Sequence, residues 1–167
     1  MKISSAILLL LVTFIIFRLI KLTLLNNYRT AINKFNTIDC TIERMQAELI
    51  QTDNDLHAQA MKLDRCGGCP IGKTFEHEVE LTALKATSGS CFDQLEQLNL
   101  SVNGYQNYIT DLRSLVEQPA IASPEIDSII DRQVILINNL DAQWSQIVHL
   151  RGIINGQSEA VTRINRS

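Results

Sequence analysis

Residues 65–74 read RCGGCPIGKT, and three chemistries claim the same ten positions. Gly67, Gly72, Lys73 and Thr74 satisfy the phosphate-loop spacing. Cys66 and Cys69 form a C-x-x-C, which suits a redox pair or half of a zinc site. A plain reversal between two helices would use the same glycines. The flanks decide between them. HAQAMKLD, residues 57–64, carries helical spacing and no β-branched run, whereas a phosphate loop must follow a buried strand. Pro70 also removes an N–H from any phosphate cradle. The stretch reads as a turn, and no nucleotide is expected there.

On either side of the turn the apolar residues fall into heptads. Upstream, Tyr28, Ala31, Phe35, Ile38, Ile42, Met45, Leu49, Thr52, Leu56, Gln59 and Leu63 alternate spacings of three and four over about five heptads. Downstream, His77, Leu81, Leu84, Ser88, Cys91, Leu95, Leu98, Val102, Tyr105, Ile109, Leu112 and Val116 do the same. The phase survives Ser88-Gly89-Ser90, which predicts one helix with a weak point. A short connection makes the two helices antiparallel. Turn length then predicts Leu63 opposite His77, Leu49 opposite Cys91, and Thr52 sharing a polar layer with Ser88.

Farther upstream lies MKISSAILLLLVTFIIFRLIKLTLL, residues 1–25. From Ile3 to Leu25 it reaches the roughly 20 residues a bilayer needs, and no small-x-small cleavage site follows. Residues 1–26 are therefore expected to be an uncleaved signal-anchor, with Arg18 and Lys21 snorkelling at one interface. Downstream, Pro119 and Pro124 bound a loop over residues 119–125 that would lie near the membrane. A third helix over 126–167 follows, with Ser123 able to cap it and Pro124 in its first turn. Its apolar face is read as Ile126, Ile130, Ile137, Leu140, Trp144, Ile147, Ile154 and Val161. Ile129, Leu136, Leu150 and Ile164 widen that face, which implies burial against two neighbours.

The predicted fold is all-α: an N-terminal transmembrane helix continuing into an antiparallel helical hairpin over 27–118, plus the third helix, in a three-helix coiled-coil-like bundle. The distal cysteine-rich turn occupies 66–73. Such a helical rod fills its interior with seam side chains and offers the turn, through Gly67, Gly68, Pro70 and Lys73, as a contact surface. A net charge of −3 with interspersed signs argues against nucleic acid as a partner. No Ser-His-Asp order or carboxylate pair stands out, so no enzyme and no cofactor are expected.

The four cysteines divide by position. Cys66 and Cys69 are a candidate disulfide in the turn, with a zinc clamp through His77 as the metal alternative. Cys91 lies on a seam, where a free thiol behaves as a small apolar group. Cys40 faces outward and is a candidate intermolecular thiol. An even cysteine count favours an oxidising, extracytoplasmic compartment. Asn99-Leu100-Ser101 and Asn165-Arg166-Ser167 are glycosylation sequons of the same leaning. Arg18, Lys21, Arg29 and Lys34 outweigh Lys2 and argue for the opposite orientation.

These features point to a membrane-anchored structural or adaptor protein. Its partners would be the bilayer and either another protein or a second copy. In layout alone, an N-terminal anchor followed by helices, the chain resembles inner-membrane spanins. That resemblance implies a phage or viral envelope component in membrane bridging or fusion. A thiol-disulfide or zinc-binding protein acting through Cys66 and Cys69 is the third reading.

Overall fold

The computed structural model describes residues 2–67, 75–118 and 123–166, and these form an all-α three-helix bundle. Helix α1 covers Lys2–Gly67, α2 covers Phe75–Val116 and α3 covers Ser123–Arg166. Helix α1 runs unbroken because no proline or glycine interrupts it before Gly67. Helix α2 passes through Ser88-Gly89-Ser90 without a break, as its seam phase predicts. A Cβ placed on Gly89 would meet nothing within 4 Å, so this glycine lowers helix propensity without serving a packing contact. The last turn of α2 closes through Glu117 N–H to the Arg113 carbonyl at 3.1 Å. Helix α3 opens on Ser123 and Pro124, with Glu125 in its first turn at the positive end of the dipole.

Contacts group the chain into two compact units. One comprises Met1–Asp39 with Tyr108–Ile137, the other Cys40–Asn107 with Asn138–Ser167. In the first, Ala31, Phe35 and Ile38 of α1 are buried, as are Ile109, Leu112 and Val116 of α2 and Ile126, Ile129 and Leu136 of α3. Buried Gln133 stands among the apolar residues of α3, its Nε2 donating to the Ala31 carbonyl at 3.0 Å. Asn27 Nδ2 donates to Asp127 Oδ1 at 2.8 Å. Arg113 pairs with Asp39 and lies 5.5 Å over the Phe35 ring.

In the second unit α1 and α2 are antiparallel. Lys85 Nζ lies 3.2 Å from Asp64 Oδ1, the His57 ring meets Phe92 edge-on at 4.9 Å, and Gln46 donates to Asn103 at 3.4 Å. Leu63 and Leu81 share a cluster with Val161 and Ile164, against which Leu84 packs. These contacts put Leu63 level with Leu84, and the heptad repeat then sets Gln59 with Ser88, Leu56 with Cys91 and Leu49 with Leu98. The register is displaced by one heptad from the one that turn length predicts, so Leu49 does not face Cys91. A seven-residue slip returns every seam position to the seam, which leaves turn length a weak discriminator. Nor do Thr52 and Ser88 bond each other: the Thr52 hydroxyl donates to the Glu48 carbonyl of its own helix at 2.7 Å.

The α3 stripe also needs correcting. Its innermost residues in this unit are Leu140, Ile147, Leu150, Ile154, Gln157, Val161 and Ile164. Together with Ile126, Ile129, Gln133, Leu136 and half-buried Gln143 they make an unbroken alternation of three and four. Ile130, Ile137 and Trp144, expected on the main face, flank it half-buried. Trp144 is no core anchor; its ring lies 4.3 Å beneath the Arg44 guanidinium. Three glutamines at seam positions disguised the heptad.

Candidate interaction surfaces

Residues with long apolar side chains are kept from water by burial, by a partner or by lipid, so the exposed ones locate candidate surfaces. The first is the start of α1. The helix is long and apolar enough to cross a membrane, and none of its apolar window is buried against protein. From Leu9 to Leu22 every side chain is exposed, and from Leu9 onward the first buried residue of α1 is Ala31. The threonine hydroxyls of this segment are satisfied locally. Thr13 donates to the Leu10 carbonyl at 2.9 Å and Thr23 to the Leu19 carbonyl at 3.0 Å. The Arg18 guanidinium lies 5.4 Å over the Phe14 ring.

The turn predicted as an interaction surface lies mostly outside the described residues. Gly68, Cys69, Pro70 and Lys73 fall there, and with them the candidate Cys66–Cys69 disulfide; the backbone of Cys66 and Gly67 ends α1. Next to the turn, Met61 on α1 and Phe75 and Val79 on α2 are exposed. Among the described residues no three His, Cys, Asp or Glu side chains converge as a metal site.

Cys40 and Cys91 are both free, Cys40 on the surface and Cys91 in the core. Burial raises the Cys91 thiol above its ordinary pKa by desolvating the thiolate. A raised pKa means less thiolate at neutral pH, and the thiolate is the nucleophile. Cys40 is therefore expected to react with a maleimide roughly tenfold faster or more than Cys91 in the folded chain. Peptide mass spectrometry after a short exposure reads the difference, which unfolding in denaturant should erase.

A groove of about 390 Å³ runs between α1 and α2, floored by Leu49 and Leu95 and edged by Ile50, Phe92, Asp93 and Glu96. Asp53 closes one end, where its Oδ1 sits 3.3 Å from His57 Nδ1. Across the bundle, Arg151 pairs with Glu48 and Arg163 with Glu80, tying α3 to the other two helices.

One buried constellation was missed by sequence reading. Gln59 Nε2 donates to Gln157 Oε1 at 2.7 Å, and Gln157 Nε2 donates to the Leu84 carbonyl at 3.4 Å, with Ser88 level with the pair. The signal was present as glutamines recurring at three-four spacing on α3, but a search for apolar residues passes over them. No protein-family model, no curated protein and no solved structure matches this chain.

Proposed function

We propose that the chain is a single-pass, membrane-anchored structural or adaptor protein whose three-helix bundle binds a protein partner or a second copy beside the bilayer. The observation that carries this reading is the uncovered apolar stretch of α1 from Leu9, continuous with a helix in which burial from there onward begins at Ala31. In water that surface is unfavourable by about 25 cal/mol per Å². A bilayer removes the cost, and the Thr13 and Thr23 hydroxyls bring no unsatisfied donor into it. The hydrogen bond from Asn27 to Asp127 supports a position for the start of α3 close to the interface. The contact surfaces would be the distal turn and the helix faces that no ion pair occupies, and the bundle would be extracytoplasmic.

Membranes carrying the full chain test this. The protein is expected to resist carbonate extraction, and exposed Cys40 to take a membrane-impermeant maleimide from one side only. Recovery in the carbonate-soluble fraction would remove the anchor. Labelling only from the cytoplasmic side would reverse the orientation.

A further inference from the structure

We propose that the α1–α2 groove of the second unit docks a basic amphipathic helix of about three turns, presented by another protein. This rests on the reading of the chain as an adaptor and names the contact surface and the chemistry of the partner. The groove lies wholly within that unit, and among the described residues none of α3 lines it. Leu49 and Leu95 form its floor, Ile50 stands 65% exposed on one wall, and half-buried Phe92 stands on the other. Cross-helix contacts bound both ends: Gln46 with Asn103 at one, His57 with Phe92 at the other. From Gln46 to His57 the axis of α1 runs roughly 16 Å, about three helical turns.

The charge pattern identifies the occupant. Asp53, Asp93 and Glu96 rim the groove, and among the described residues no Lys or Arg lines it. Elsewhere in this unit acids that face another helix are neutralised: Glu48 pairs with Arg151, Glu80 with Arg163 and Asp64 with Lys85. Among the described residues Asp93 and Glu96 have no such base, and Asp53 meets His57 alone. Asp93 and Glu96 also lie one turn apart on the same helix, where like charges repel. Carboxylates beside exposed apolar side chains suit Lys or Arg, whose stems cover apolar surface while their heads reach the acids. A second copy is the poorer occupant. A two-fold contact through this face would set each copy's Asp53, Asp93 and Glu96 against the same acids of the other, in a chain of net charge −3.

The test uses the full chain in nanodiscs of zwitterionic lipid, with empty discs as background. Its probe is a fluorescent, capped two-heptad peptide with Leu at a and d and Lys or Ala elsewhere. Anisotropy should show saturable binding about tenfold tighter, or more, than that of the same peptide carrying Glu for Lys. Asp93→Lys with Glu96→Lys should weaken binding about tenfold or more, and Ile50→Ser about threefold. Asp93→Asn with Glu96→Gln, which keeps side-chain shape, should weaken it about threefold and carries the comparison if the reversed variant misfolds by circular dichroism. Asp141→Lys with Glu159→Lys makes the same charge change at two exposed acids of α3 and should leave binding within about twofold. Absence of binding by the Lys peptide overturns the proposal. Equal losses in the two charge-reversed variants do so too, since net charge alone would then attract the peptide. A dimer of the chain that Ile50→Ser dissociates would make a second copy the occupant and also overturn it. Peptide binding by a chain that carbonate extracts removes only the anchor, whereas resistance to carbonate without peptide binding removes only the groove.

Discussion

Replacing both Leu11 and Ile15 by Asp is expected to release the full chain from vesicles into the soluble fraction. Each change puts a carboxylate where an apolar side chain faces lipid, at a cost of about 3 kcal/mol on membrane-insertion scales. Together they amount to about 6 kcal/mol, or roughly four powers of ten in partitioning. Both residues are 54% exposed and neither is covered by α2 or α3, so the helical content of the bundle should be unchanged. Vesicle flotation with circular dichroism on the same samples checks both halves. Undiminished flotation would show that this part of α1 is not what holds the protein to membranes.

The second large effect is expected at Leu56, which is fully buried and level with Cys91. Leu56→Ala should cost about 2–5 kcal/mol, because the bundle closes only partly around the lost side chain. For a chain of this size that corresponds to a melting point lower by roughly 5–15 °C. Leu56→Asp buries a charge without a partner and should abolish the cooperative transition. Ile50, less than two turns away on the same helix, is 65% exposed, and Ile50→Asp should change stability by no more than about 0.5 kcal/mol. Thermal melts of the three variants in one detergent make the comparison. Equal losses at positions 50 and 56 would contradict the assigned seam.

What could be read beforehand follows from periodicity. Phe35, Ile38, Ile42, Met45, Leu49, Leu56 and Leu63 are all buried, as the upstream heptad requires, and the downstream seam supplies Leu81, Cys91, Leu95, Leu98, Val102, Ile109, Leu112 and Val116. Local spacing suffices there because each helix carries its own apolar stripe whatever it packs against. Helix α3 was harder. Gln133, Gln143 and Gln157 occupy its stripe, while Ile130 and Ile137 beside it imitate one. Polarity is a good guide to exposure only until a buried amide finds a partner on another helix. The candidate contact surfaces follow the same division: the apolar start of α1 is plain in the residues, whereas the α1–α2 groove exists only once Leu49 and Leu95 come together.

Residue order alone therefore determined three helices, the reversal between the first two, and an apolar N-terminal segment, since helix propensity, proline stops and hydropathy act over a few neighbouring positions. Tertiary structure decided the alignment of α2 on α1 and the identity of the α3 seam. A heptad repeat is indifferent to shifts of its own length, and contacts between the helices, such as Lys85 with Asp64 and His57 with Phe92, distinguish one alignment from the next.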